Sequence, residues 1–371
     1  MLGYFTIAAS SRCRAAGSRS AALPGPRASA ILPEIMNGSD ETAVVQKSIP
    51  AIDVHGHYVP SFYRKALEDA NQMQMDGVPV PDWNPQKQLE MMDQMNIAVA
   101  MLSISSPGLY FGDSIATREL TRKCNEYGAE LVRDYPRRLG LLAALPLPDV
   151  DGSLAEIAYA IDVLHADGIK LATHSGGMYL GDERMEPVFV ELSRRQAVVV
   201  LHPTKPSAIP ENVLVDWPIS MMEFLFDTTR AMTNMIMSRT LLRNPGFKLI
   251  LPHAGAFMPL LADRLTGRRQ AFVPVDRAAE APDIHEALRK AYYDMAGYPV
   301  PGQLWALLQM VGAGHLLYGS DWPHTPDSKA CKLQQKLLTT DLLTEEDRRA
   351  VFYENALGLF PRLAQIAISA A

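Results

Sequence analysis

The chain has 371 residues, of which 48% are hydrophobic and 20% charged, and its formal net charge at pH 7 is −6. This composition is typical of a folded globular protein, and the acidic balance argues against a nucleic-acid partner or an anionic membrane surface. Cys13, Cys124 and Cys331 lie far apart and form no CxxC pair, which argues against a disulfide framework and a thiolate zinc site. No apolar run approaches the roughly 18 residues that a membrane-spanning helix needs.

The N-terminal segment differs from the rest of the chain. Residues 1–33 contain arginine, serine, alanine and proline but no acidic residue. That composition is typical of a mitochondrial transit peptide; the alternatives are a disordered tail or sequence upstream of a start at Met36. We therefore predict that residues 1–48 are a disordered or targeting extension and that residues 49–365 form the folded domain. The cysteine usage predicts a cytoplasmic protein, with mitochondria as the alternative if residues 1–35 are a transit peptide.

Short apolar runs alternate with longer amphipathic segments along the rest of the chain. In chain order the runs are 50–57, 97–106, 139–147, 168–174, 197–203, 247–255, 291–297 and 315–323. Several are almost continuously apolar, as parallel strands buried on both faces are, and helical patterns such as 85–95, 117–136 and 151–168 separate them. This alternation predicts a (β/α)8 barrel of TIM type, with a doubly wound open sheet as the alternative. The long insertion at residues 204–246 predicts a lid or an extra helix between strands 5 and 6.

Polar side chains fall at the C-terminal ends of four of these runs. His55 and His57 end the first run, His202 the fifth and His253 the sixth, and Asp321 lies near the end of the eighth. Active sites of parallel barrels form at that end of the strands, and residues i and i+2 of a strand point to the same side. Taken singly, each histidine is more simply a hydrogen-bonded strand-end residue. Their conjunction predicts a site for a divalent metal ion such as zinc.

Four motifs carry a resemblance to a known family. They are "DVHGH" (53–57), "LHPT" (201–204), "LPHAGAFMP" (251–259) and "YGSDWPH" (318–324). From about residue 50 to residue 360 the chain resembles the amidohydrolase superfamily. Within it, the chain is similar to the branch of aminocarboxymuconate-semialdehyde, resorcylate and carboxyvanillate decarboxylases. The segments "YLGDERMEPVFVEL" and "FDTTRAM" look most like 6-methylsalicylate decarboxylase-like members.

The resemblance implies a role for each residue that matches these motifs. His55, His57, His202 and Asp321 would hold one divalent metal ion, most simply zinc, with manganese as the alternative. Asp321 would also move protons. His253 would act on the substrate beside the metal.

Three further residues near the strand ends are predicted to contact the substrate. Arg264 matches a position where the family often has arginine, and it would clamp a substrate carboxylate or form a structural salt bridge. Phe257 would pack against the substrate ring and help to exclude water. His324 would line the mouth of the pocket or face solvent.

Three other polar residues near strand ends leave alternatives open. Lys170 lies where binuclear amidohydrolases carry a lysine that bridges two metals, but the decarboxylases of this branch hold one metal and do not use it as a bridge. Asp294 would orient a ligand histidine or cap a loop. His174 would reach the pocket or form a hydrogen bond within its loop.

The activity implied by the resemblance is metal-dependent, non-oxidative decarboxylation of a small hydroxybenzoate such as 6-methylsalicylate. Asp321 would deliver a proton to the ring carbon that bears the carboxylate, which requires surroundings that raise its pKa. The same side chains would support hydrolysis of a lactone or a cyclic amide, and a metal-binding scaffold without catalysis is a third hypothesis. The predicted partner is a small aromatic carboxylic acid, and because the family often dimerises a homodimer is compatible with the sequence.

Overall fold

The computed structural model describes residues 49–74, 76–213, 216–272 and 281–368. Within them, one eight-stranded parallel sheet follows the order of the chain. Its strands are β1 (Ala51–His57), β2 (Ile97–Ser103), β3 (Leu139–Ala144), β4 (Gly168–Ala172), β5 (Val198–His202), β6 (Lys248–Leu251), β7 (Tyr292–Asp294) and β8 (Leu316–Leu317). Each strand lies inside one of the predicted runs, so the (β/α)8 barrel is confirmed. The predicted extension at residues 1–48 lies outside the described residues.

Helices cover the outside of the barrel because consecutive parallel strands need a crossover connection. They are α1 (Ser61–Asp69), α2 (Pro85–Gln94), α3 (Ser114–Asp134), α4 (Val150–Asp162), α5 (Glu186–Arg194), α6 (Glu223–Met237), α7 (Thr240–Arg243), α8 (Met258–Phe272), α9 (Ile284–Lys290), α10 (Gly302–Met310), α11 (Asp327–Thr339), α12 (Glu345–Arg349), α13 (Asn355–Leu359) and α14 (Pro361–Ile368). Short polar residues begin several of them. Asp113, for example, accepts hydrogen bonds from the backbone N–H groups of Ile115 and Ala116 at the start of α3. None of the helices in the described residues is long and apolar enough to cross a bilayer.

The barrel closes where β1 meets the chain that follows β8. The N–H of Val54 donates to the carbonyl of Tyr318 at 3.0 Å, and the N–H of Asp321 donates to the carbonyl of His55 at 2.8 Å. Strand β8 is short, and the chain turns away at Asp321, whose φ is 57°. Barrel closure therefore places Asp321 directly beside the end of β1.

The barrel interior is apolar in its N-terminal half. Ile52, Met101, Val200 and Ile250 from four strands are buried in one cluster there, and Phe360 from the C-terminal helices packs into the same cluster. Because these side chains fill the lower interior, inward-facing polar residues are accommodated at the C-terminal ends of the strands. This is the face at which the predicted site residues lie.

The insertion between β5 and β6 contains the predicted extra helix. Helix α6 and the short α7 occupy its second half, preceded by a single turn at Ile219–Met221. Whether this segment acts as a lid remains a prediction.

Candidate active site

The two histidines of β1 are held by their Nδ1 atoms. His55 Nδ1 lies 2.8 Å from Asp294 Oδ2, and His57 Nδ1 lies 3.0 Å from the Ser103 hydroxyl oxygen. A carboxylate can only accept, so His55 carries its proton on Nδ1 in the neutral form. Both Nε2 atoms are buried and have no hydrogen-bond partner among the described residues. The Nε2 atoms of both rings are therefore available as ligands at the C-terminal end of the barrel.

His202, at the end of β5, faces the β1 histidines. Its Nδ1 donates to the carbonyl of Pro203 at 2.7 Å, which leaves Nε2 as the acceptor nitrogen. Its ring centroid lies 5.2 Å from that of His55 and 4.9 Å from that of His57. Burial lowers the pKa of His57 to about 3 and holds the pKa of His202 well below its usual value. Both rings are neutral at pH 7, which is the form that binds a metal ion.

Asp321 lies between these rings. Its Oδ1 is 3.2 Å from His57 Nε2 and 3.6 Å from His55 Nε2, and its Oδ2 is 3.9 Å from His253 Nε2. Asp321 and His253 both have positive φ angles, 57° and 53°, a conformation that non-glycine residues adopt at a cost in free energy. The backbone is therefore strained at the two points that direct these side chains to the common space.

The ionisation of Asp321 differs from the prediction. Burial alone would raise its pKa, but the neighbouring imidazoles of His253, His57 and His55 hold that pKa well below its usual value. The expectation that the surroundings raise the pKa of Asp321 is therefore wrong. The sequence places the four histidines and the carboxylate on β1, at the end of β5, in the turn after β6 and after β8, and only folding brings the imidazoles against the carboxylate.

Asp294, at the end of β7, contacts both the His55 ring and the backbone of two neighbouring loops. One oxygen accepts from His55 Nδ1, and the other accepts from the backbone N–H groups of His253 and Ala296 at 3.0 and 3.1 Å. The side chain is fully buried. Burial opposes a charged His55, but the adjacent Asp294 carboxylate raises the pKa of His55 to about 9. A carboxylate in this position fixes the ring and makes its free nitrogen a stronger ligand.

Gly319 leaves room for the His55–Asp294 pair. A Cβ atom at this position would lie 2.8 Å from the Cβ of His55 and 3.2 Å from the Cβ of Asp294. Gly319→Ala should therefore displace the pair, lower the bound metal content and destabilise the fold by about 1–3 kcal/mol through overpacking. Metal analysis and denaturant unfolding measure the two effects. Gly358→Ala is the matched control because a Cβ at Gly358 meets no atom within 4 Å; equal behaviour of the two variants would contradict the assignment.

These side chains fit a divalent metal ion. His55, His202, His253 and Asp321 can each offer one ligand atom, and the four atoms all lie within 4.8 Å of one another. This group contains His253, whereas the predicted ligand set contains His57 in its place. Since His57 Nε2 lies 3.2 Å from Asp321 Oδ1, five side chains converge. Imidazole nitrogens and a carboxylate suit zinc and other borderline or hard divalent ions, and His55 would release its second proton on binding one.

Comparison with known proteins places this architecture in a family. The model of the family described as "Amidohydrolase" matches residues 52–362. The chain belongs to the amidohydrolase family. A 6-methylsalicylic acid decarboxylase of Penicillium expansum is 34% identical to it, over 85% of this chain and 97% of that protein.

Solved structures agree with this membership. A crystal structure described as an amidohydrolase II is 38% identical, with a TM-score of 0.79 over 83% of this chain and 99% of that one. A dihydroxybenzoic acid decarboxylase of Polaromonas, solved with bound manganese and the inhibitor 2-nitroresorcinol, has a TM-score of 0.69. It is 20% identical over 85% of this chain and 97% of that chain, so it shares the fold.

A cavity of about 580 Å³ opens beside this candidate metal-binding group. His202, His253 and Asp321 lie at its inner end, and His324 lines it, with its ring centroid 5.3 Å from that of His57. The structure therefore brings His324 to the cavity. His55 and His57 lie beneath this surface, 2% and 1% exposed.

Two predicted substrate residues of the amidohydrolase lie elsewhere. Arg264 is exposed on α8 and is not among the described residues that line the cavity. The Phe257 ring packs against Phe226, with centroids 4.8 Å apart, and does not line the cavity either. The sequence pattern located both residues near a strand end. It could not predict in which direction their side chains point, because packing of α8 and of the turn before it against the barrel decides that.

Sequence reasoning missed several residues that line the cavity of the amidohydrolase. Phe224, from the insertion, has its ring centroid 6.1 Å from that of His202. Asp76, from the loop after α1, is 8% exposed and its Oδ1 has no partner among the described residues. Ser105 and Ser106 follow β2, and Ser105 Oγ lies 3.4 Å from His202 Nε2. The position of the two serines just after a strand was the one signal that could have identified them.

Proposed function

We propose that this amidohydrolase is a metal-dependent, non-oxidative decarboxylase of small ortho-hydroxybenzoates, with 6-methylsalicylate as the first candidate substrate. The observation that carries the proposal is the group of buried imidazoles around Asp321 at the inner end of a cavity, in a chain 34% identical to a 6-methylsalicylic acid decarboxylase. The cavity would hold the substrate, and the side chains at its inner end would hold the metal ion and move the proton. Cytoplasmic location and homodimer formation remain predictions.

The ligands in this proposal are His55, His57, His202 and Asp321, with zinc as the first candidate ion and manganese as the second. The unshared Nε2 atoms of the two β1 histidines and the neutral state of His57 support it. A bound divalent ion would act as a Lewis acid and as a template for the carboxylate and phenol oxygens of the substrate. His253 lies within the same group and stays available to contact the substrate or to complete the ligand set.

Asp321 is the proposed proton carrier. In the resting site its carboxylate is ionised, because the surrounding imidazoles lower its pKa. It can therefore accept the proton of the substrate phenol and pass that proton to the ring carbon that bears the carboxylate. The bond from that carbon to the carboxylate then breaks, carbon dioxide leaves, and the C–H bond and the aromatic ring remain. His253, 3.9 Å from Asp321 Oδ2, would hold the carboxylate in position for both transfers.

The remaining cavity walls suit an aromatic ring. Phe224, Met221 and Leu225 provide apolar surface on one side, and Ser105, Ser106 and Asp76 provide polar atoms. Apolar walls with a few placed polar groups are typical of sites for small aromatic ligands. In this proposal Phe224 packs against the substrate ring, the role that the sequence analysis gave to Phe257.

The decisive assay uses the full chain, stripped of metal and reloaded separately with zinc and with manganese. Each form is incubated with 6-methylsalicylate and related hydroxybenzoates, and the products are followed by mass spectrometry. We expect carbon dioxide loss to give 3-methylphenol, prevented by a chelator. If the chain binds metal but releases carbon dioxide from none of the hydroxybenzoates, the proposed decarboxylase function is wrong.

Hydrolysis of a lactone or cyclic amide is the second candidate, and one observation favours it. The ionised state of Asp321 is the form that removes a proton from an attacking water molecule. A panel of lactones and cyclic amides in the same assay distinguishes the two reactions, because a hydrolase releases no carbon dioxide.

A further inference from the structure

A second cavity lies beside the metal-binding cavity and has a different character. It encloses about 190 Å³ at the C-terminal ends of β3 and β4. Its polar lining comes from Lys170, His174, Thr204 and Lys205, together with Tyr110 and Ser175. None of the described residues that line it carries a carboxylate. The cavity is therefore a small space lined mostly by apolar residues and glycines, to which two lysines contribute and, among the described residues, no carboxylate does.

Lys170 supplies a buried positive charge to this cavity. Its side chain extends from β4, and the residue is 5% exposed. Burial lowers the pKa of Lys170 to about 8, with the nearby Asp76 carboxylate opposing that shift. At neutral pH the ammonium group therefore predominates. A buried ammonium group gains from an anionic partner because water no longer solvates it fully.

His174 supplies a hydrogen-bond acceptor. Its Nε2 lies 3.0 Å from the carbonyl oxygen of Lys205 and donates to it, so in the neutral ring Nδ1 carries the lone pair. This Nδ1 is buried and has no partner among the described residues, and His174 is 8% exposed. The same contact fixes the backbone of Lys205 at the edge of the cavity. The cavity thus combines the buried ammonium group of Lys170 and the exposed Lys205, both of which interact electrostatically with the Asp76 carboxylate, with one unsatisfied acceptor.

We propose that this cavity binds a small oxyanion that also carries a hydroxyl group, of which bicarbonate is the simplest. Its negative oxygens would lie against Lys170 and Lys205, and its hydroxyl would donate to His174 Nδ1. A simple carboxylate such as acetate satisfies the cations but has no proton to donate to His174. A volume of about 190 Å³ accommodates an ion of this size together with water molecules.

The site adjoins the metal-side cavity, and the charge of Lys170 also acts on His202 and His324 there. Ser106, which lines the metal-side cavity, and Thr204, which lines the second cavity, are hydrogen-bonded at 3.1 Å and lie between them. The inference does not rest on the decarboxylase activity, since binding can be measured without turnover. A chain that binds no bicarbonate but decarboxylates hydroxybenzoates contradicts only the anion site, and the reverse result contradicts only the proposed activity.

Isothermal titration of the metal-loaded full chain with bicarbonate at neutral pH, with chloride keeping the ionic strength constant, tests the proposal. We expect saturable binding that Lys205→Met weakens by about tenfold or more, the usual loss when a charged hydrogen bond is removed. Lys170→Met should abolish saturation. Lys329→Met is the matched control, because Lys329 lines the metal-side cavity and its loss removes the same charge there.

Several results would overturn the proposal. If bicarbonate binding does not saturate, the proposed site does not exist. If Lys329→Met weakens bicarbonate binding and Lys205→Met does not, the ion binds in the metal-side cavity. Acetate that binds as tightly as bicarbonate would remove the role of His174 Nδ1 and assign the cavity to organic carboxylates. Lys205 is exposed, so Lys205→Met keeps the test valid even if Lys170→Met fails to fold.

Discussion

Asp321→Asn should lower the rate of hydroxybenzoate decarboxylation by about 10²–10⁴-fold, the range that loss of a general acid–base group produces. Asparagine keeps the volume of the side chain but can neither take up the phenol proton nor return it to the ring. The neighbouring imidazoles, which keep the Asp321 carboxylate ionised, also lose their negative partner. Steady-state and single-turnover rates of the metal-loaded enzyme measure the effect.

The control for Asp321→Asn makes the same change at Asp263, which is 96% exposed on α8. Asp263→Asn should leave the rate unchanged. Metal content must be measured for both variants, because Asp321 is also a proposed ligand. A variant Asp321→Asn that keeps its metal and retains activity within a few-fold of the natural chain would remove Asp321 from the proton pathway.

His202→Ala should eliminate stable metal binding and, with it, decarboxylation. The ring is 3% exposed and its Nδ1 is anchored to Pro203, so Nε2 is held facing the other proposed ligands. Residues that merely orient a ligand usually contribute about 10–100-fold to metal affinity, and the direct ligand should contribute more. Treatment of the natural chain with a chelator should give the same inactive state, and divalent metal should restore the natural chain but not the variant.

The matched control for this experiment is His315→Ala. His315 donates to the carbonyl of Ala291 through Nδ1 and stacks on Tyr292, away from the metal-binding group. The His315→Ala variant should bind metal as the natural chain does. If His202→Ala retains a full equivalent of tightly bound metal, the ligand assignment fails, and a chelator-resistant activity would show that the metal takes no part in the reaction.

Much of the fold followed from local pattern. The β5 segment "VVVLH" is apolar up to His202 because both faces of the strand are buried, and the observed strand ends within one residue of the predicted run. The order of the strands also followed from the sequence, since short βαβ connections place consecutive strands side by side. Once the barrel is predicted, the position of His55, His202 and Asp321 at strand ends determines which face carries the site.

Properties that depend on several distant segments could not be predicted in this way. Phe224 reaches the cavity from the insertion between β5 and β6, whose path no periodic pattern fixes. Arg264 lies on α8, and packing against the barrel decides that its side chain faces outward. The second cavity arises because Lys170 and Lys205, 35 residues apart, line one space together with His174.

The pKa of Asp321 illustrates the division most directly. Its place in the "GSDWP" motif identified it as a site residue, and the role of proton donor assigned to it required a raised pKa. The tertiary structure reverses the direction because His57 from β1 and His253 from the turn after β6 approach its two oxygens. The sequence by itself determined the barrel and the residue types at its C-terminal face. The tertiary structure decided their charge states, since electrostatic interactions act through distances in space that the order of residues does not contain.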